Sequence, residues 1–105
     1  MPSAIPANAA PVRPGQILLD WFLKPLGISQ SEFARRIGIS YPRLNQVVHG
    51  KRGVTADTAV RLSRVLGTSP EFWLDLEQRW RVWAVLHSPR AGEIERLEPL
   101  SRVAA

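Results

Sequence analysis

A chain of 105 residues with 45% apolar side chains suffices for one small domain, and its formal charge of +5 favours an acidic partner. The sequence contains no cysteine, which removes disulfide frameworks, thiolate nucleophiles and cysteine zinc sites. No apolar run approaches the roughly 18 residues of a membrane span, and the N-terminus lacks a basic region followed by an apolar core, so no membrane association or secretory signal is expected and a cytoplasmic protein fits.

The charge is unevenly placed. Residues 30–64 hold seven basic side chains (Arg35, Arg36, Arg43, Lys51, Arg52, Arg61, Arg64) against Glu32 and Asp57. Residues 65–105 carry five arginines against six acids. The positive field is therefore concentrated on one stretch, as a polyanion-binding surface requires.

Residues 1–13, rich in proline and alanine and nearly uncharged, cannot bury enough apolar surface to order themselves and read as a flexible arm. A first helix is expected over roughly residues 14–23. Pro14 suits a first turn, where its missing N–H has no intrahelical use. The run Ile17-Leu18-Leu19-Asp20-Trp21-Phe22-Leu23 is apolar nearly all round. Such a helix is either central to the core or covered on a second face by another chain. Pro25 biases Lys24 away from helical geometry, so the helix is expected to end there.

Residues 29–52 read as two short helices joined by a tight turn. Ser29 is an N-cap, and Glu32 three residues on completes a capping box. Phe33, Ala34 and Ile37 give one apolar face, and Gly38 stands where a helix C-terminus favours left-handed backbone. Ser40 caps the next helix, with Leu44, Val47 and Val48 inward and Tyr41, Pro42, Arg43, Asn45, Gln46 and His49 outward. An exposed face of Arg, Asn, Gln and Tyr, set by a short turn against a preceding helix, is the pattern of a helix-turn-helix.

Lys51-Arg52-Gly53-Val54 forms a basic loop. Thr55 caps a fourth helix with Ala59, Leu62, Val65 and Leu66 as its expected buried stripe. Ser69-Pro70-Glu71 opens a fifth helix running to about Leu86. Trp73, Leu76, Trp80 and Trp83 form one stripe along it, which serves either core packing or self-association. Ser88-Pro89 breaks that helix, and residues 88–105 read as a tail with one docked turn at most. The expected fold is thus all-α: a five-helix, lambda-repressor-like helix-turn-helix domain over residues 14–87.

Catalysis finds no support in the pattern. His49 and His87 have no second histidine or cysteine at metal-ligand spacing, so no metal is expected. Phosphate-binding glycine loops and glycine-flanked nucleophiles are missing, so no enzyme chemistry or cofactor is expected. Double-stranded DNA gives each polar residue a task. Arg43 has the fork for guanine O6 and N7, and Gln46 and Asn45 the amide suited to adenine. Tyr41 can meet a thymine methyl or donate to a phosphate. Gln30, Lys51 and Arg52 suit phosphate oxygens, which position a domain without reading sequence. One short helix reads few base pairs, so a dimer on two half-sites is expected, with Trp73, Leu76, Trp80 and Trp83 as candidate contacts.

From about residue 13 to residue 83 the chain resembles the HigA family of antitoxins, in the XRE-type helix-turn-helix group. The resemblance rests on RPGQILLDWFLKPLGIS, SEFARRIGIS and HGKRGVTADTAVRLSRVLGTSPEFWLDLE, with the tryptophans that follow. It implies an antitoxin that neutralises a HigB-like ribonuclease toxin and represses its own operon as a dimer on a palindromic operator. The alternative is a stand-alone repressor of the same fold with no toxin partner.

Overall fold

Four helices open on a hydroxyl that accepts a hydrogen bond from the N–H three residues on. The pairs are Ser29–Glu32 (3.1 Å), Ser40–Arg43 (3.2 Å), Thr55–Thr58 (3.3 Å) and Ser69–Phe72 (3.1 Å). Each cap satisfies a donor that the first helical turn leaves orphaned. The computed structural model describes residues 10–100. Most of the expected arm, residues 1–9, and the end of the tail, residues 101–105, lie outside the described residues.

All the regular structure in the described residues is helical. Helix α1 covers residues 14–26 in three continuous segments, Pro14–Ile17, a π-helical Leu18–Leu23, and Lys24–Leu26. It is followed by α2 (Gln30–Ile37), α3 (Tyr41–Val48), α4 (Ala56–Leu66), α5 (Pro70–Leu86) and the short α6 (Ala91–Glu95). The fold is an all-α helix-turn-helix, with α6 added to the five helices read from the sequence.

One expectation about α1 needs correction. It does not stop before Pro25. The Lys24 N–H bonds back five residues to the Leu19 carbonyl, and the wider turn lets the chain pass Pro25 and end at left-handed Gly27. The apolar surround is covered by this chain on one face and left open on the other. Ile17, Leu18 and Leu23 are buried and Leu19 and Phe22 pack partly against the core, while Trp21 and Leu26 are exposed.

The core unites Phe33, Ala34 and Ile37 of α2, Leu44, Val47 and Val48 of α3, and Ala59 and Leu62 of α4. Val65, expected in the α4 stripe, is exposed, and buried Thr58 extends the stripe toward the N-terminus instead. Trp73 is 0% exposed. Its ring meets Phe22 at 5.6 Å and Phe72 edge-on at 4.9 Å, and its indole N–H donates to Thr68 Oγ1 at 2.7 Å. Of the two roles open to it, Trp73 takes the core and is withdrawn as a candidate subunit contact. Leu76 is also partly packed on that core.

Gly15 brings α1 against α3. A Cβ there would stand 2.2 Å from the Val47 carbonyl oxygen and 2.7 Å from Val48 Cα, so only glycine permits this crossing.

Candidate nucleic-acid interface

The turn between α2 and α3 is built by Gly38, whose left-handed backbone (φ 76°) lets its own N–H and that of Ile39 return to the Ala34 carbonyl at 2.9 and 3.1 Å. Ile39 then tucks into the core. Arg61 of α4 completes the turn. Its Nη1 donates to the carbonyls of Ile37 (2.9 Å) and Gly38 (3.2 Å), and its Nε donates to Asp57 Oδ1 (2.7 Å). One guanidinium thus closes the C-terminal end of α2 and ties it to α4.

This frame presents α3 outward. Tyr41 is exposed, while Arg43, Asn45 and Gln46 are half-buried because each is held by a different neighbour. Arg43 Nη2 donates to Thr58 Oγ1 (3.0 Å) and more loosely to Asp57 Oδ1 (3.4 Å) on α4. Asn45 Nδ2 donates to Gln30 Oε1 at the start of α2 (3.1 Å). Gln46 Oε1 accepts from Arg52 Nε in the following loop (2.9 Å). The structure therefore brings together Arg43, Asn45 and Gln46 of α3 with Gln30 and Arg52, and it leaves Lys51 exposed beside them. His49 turns back, its Nδ1 against the Asn45 carbonyl at 2.9 Å.

The loop after α3 is less free than its composition implied. Val54 donates its N–H to Glu77 Oε1 of α5 at 3.0 Å, so that amide is committed to the fold. The Arg13 guanidinium stacks 4.1 Å above the Trp80 ring and fills the space beside Gly50.

Acids next to this surface are held ionised. Hydrogen bonds from Arg35 first, then Arg36, lower the Glu32 carboxyl to about 2. The Asp57 carboxyl is likewise lowered, chiefly by Arg61 and also by the charge of Arg43. Among the described residues no three His, Cys, Asp or Glu side chains gather as a metal site would need.

Four contributors were missed in the sequence: Gly15, Asp57, Thr58 and Arg61. Asp57 and Arg61 do stand four apart on one helix, the spacing of an ion pair, and Gly15 follows a first-turn proline. Nothing in the sequence shows that they converge on α3.

A family model described as "Helix-turn-helix" matches residues 19–73, more than half of the chain. The chain belongs to the XRE-type helix-turn-helix family, among HigA-like antitoxins. Virulence-associated protein I of Dichelobacter nodosus is 42% identical over 77 residues, covering 70% of this chain and 71% of that protein. The solved antitoxin GraA superposes with a TM-score of 0.82 at 35% identity, over 88% of this chain and 99% of GraA. The Pseudomonas aeruginosa antitoxin HigA, solved with its higBA promoter, gives a TM-score of 0.78 at 37% identity, over 86% and 98% of the two chains. The family that the sequence resembles is therefore the one found, and this HigA-like chain carries the antitoxin type of DNA-binding domain.

Proposed function

We propose that this protein is the antitoxin of a type II toxin–antitoxin module, that it represses its own operon as a dimer, and that it neutralises a HigB-like mRNA-cleaving toxin. The observation that carries the DNA-binding part is the α3 face, where Arg43, Asn45 and Gln46 are each oriented by a different neighbouring element. Such a preorganised helix face enters the major groove without first ordering its side chains. Arg43 takes a guanine edge, Gln46 and Asn45 take adenine edges, and Tyr41 adds a methyl or phosphate contact. Gln30, Lys51 and Arg52 hold phosphates on either side. Support comes from the solved HigA relative, which was captured with promoter DNA.

Dimerisation is assigned to the outer side of α5. Val82, Val85 and Leu86 are exposed there, next to Trp83, and Trp83 stacks between Trp80 and His87 at 5.2 and 4.3 Å. The Trp83 indole nitrogen is buried without a hydrogen-bond partner among the described residues. Among the described residues no helix is long and apolar enough to cross a membrane, which suits a cytoplasmic repressor.

The test is co-expression with the adjoining open reading frame, followed by purification and a mobility-shift assay on the upstream DNA. A stable complex with a small basic ribonuclease, and a specific shift, support the reading. A specific shift with no copurifying toxin would leave a stand-alone repressor, and no shift at low salt would overturn the DNA-binding role.

A further inference from the structure

The side chain of Thr58 is a polar group kept inside the domain. The residue is 1% exposed, and its hydroxyl oxygen lies 3.0 Å from Arg43 Nη2. Thr55 Oγ1 stands 3.3 Å away on the other side. A buried hydroxyl in an otherwise apolar stripe is costly unless its hydrogen bonds are made, and a valine there would fill the same space without that cost. The hydroxyl is used on a surface arginine from another helix, fifteen residues earlier in the chain.

Asp57, the preceding residue, adds the second hold. Its Oδ1 accepts from Arg61 Nε at 2.7 Å and stands 3.4 Å from Arg43 Nη2. Arg61 in turn is fastened to the carbonyls of Ile37 and Gly38 in the turn. A chain of hydrogen bonds therefore runs from the helix-turn-helix turn, through Arg61 and Asp57, to the reading arginine. Both bonds on Arg43 fall on Nη2, so the guanidinium is gripped at one corner. Its plane is fixed while Nε and Nη1 keep N–H groups for an acceptor.

An unrestrained arginine on a helix surface samples many rotamers and contacts phosphates and bases alike. One held at Nη2 keeps its plane and brings the two N–H groups of Nη1 to one place on the groove floor, where guanine offers O6 and N7 side by side. We infer that Thr58 and Asp57, on α4 and outside the recognition helix, are specificity-determining positioning residues that orient Arg43 for a single base pair. This rests on the assignment of Arg43 to a base edge.

The experiment uses the full chain and a duplex that the wild-type protein selects from a random pool, together with every single-base variant of that duplex. Equilibrium affinities are measured for wild type, Arg43→Ala, Thr58→Val, Thr58→Ser and Asp57→Asn, at two salt concentrations. Arg43→Ala identifies the base pair it reads. Thr58→Val and Asp57→Asn should each lose about fivefold in discrimination at that same base pair, the worth of one hydrogen bond, with unchanged preferences elsewhere and an unchanged salt slope. Thr58→Ser, which keeps the hydroxyl, should retain the discrimination. Thermal unfolding confirms that each variant is folded at the assay temperature.

A uniform loss across all duplexes, or full discrimination in both Thr58→Val and Asp57→Asn, would overturn the inference while Arg43 keeps its role. A uniform loss in Arg43→Ala would instead overturn the base-reading assignment, and the positioning role with it.

Discussion

Gly15 and Val47 meet so closely that a single methyl group has no room between them: a Cβ on Gly15 would lie 2.2 Å from the Val47 carbonyl oxygen. The contact falls on the last full turn of α3, the helix proposed to read DNA. The depth to which α1 seats against α3 therefore sets how α3 stands relative to the rest of the domain.

Gly15→Ala should cost about 1–3 kcal/mol of stability, the usual range for overpacking against a backbone that cannot retreat. Chemical denaturation measures this directly. The variant should also bind DNA less tightly under conditions where it is fully folded, since α3 must shift to admit the methyl. Wild-type stability in this variant would mean that the two helices separate freely.

Arg61 closes the turn from another helix. Arg61→Ala should destabilise the domain by about 1 kcal/mol, the net value of a hydrogen bond to a part-exposed group. Arg61→Lys should recover only part of this, because one ammonium cannot reproduce the geometry of Nε on Asp57 and Nη1 on two carbonyls. Equal stability of the lysine variant and wild type would show that charge alone is needed.

Glu32 and Asp57 make the fold acid-sensitive in a defined direction. Both carboxyls have folded-state pKa values below their ordinary ones, Glu32 at about 2. Their contribution is present above the unfolded values of about 4 and is lost as pH falls through the folded values. Melting temperature should therefore fall from about pH 5 toward about pH 2, and Glu32→Gln should fall less steeply than wild type. Parallel curves would contradict the assignment.

Trp73 in the core and the proposed dimer face of α5 respond to different variants. Trp73→Ala should cost about 3–5 kcal/mol by emptying a fully packed site and should act through folding. Val82→Glu with Leu86→Glu places charges on residues that are 52% and 58% exposed, so it should leave the monomer folded and abolish the dimer. Sedimentation equilibrium distinguishes these. A persisting dimer in the double variant would move the interface elsewhere, with exposed Trp21 and Leu26 on α1 the next surface to examine.

Local signals served the reading of the sequence well wherever structure is set locally. Ser29, Ser40, Thr55 and Ser69 announce helix starts through their own hydroxyls, and Gly38 marks the turn. Those signals placed α2, α3, α4 and α5 and the outward residues of α3. What the sequence concealed depends on contacts between elements. The passage of α1 through Pro25 depends on a π-helical turn that no propensity encodes. The burial of Trp73, for which the sequence left core packing and self-association both open, depends on which side of α5 the α1 ring of Phe22 reaches. The convergence of Thr58, Asp57 and Arg61 on Arg43 and the turn is a property of how α4 packs on α2 and α3. Residue types named the reading face; packing decided how it is held.

We propose that α3 reads the operator of this protein's own operon. The most direct test of this is fluorescence anisotropy on the upstream duplex, with a scrambled duplex as control and Arg43→Ala as the variant. Wild type should prefer the operator by about a thousandfold or more. Arg43→Ala should lose about 1–3 kcal/mol on the operator and relax preference at one base pair. Equal binding of wild type to operator and scrambled DNA, or an equal loss by Arg43→Ala on both duplexes, would contradict it.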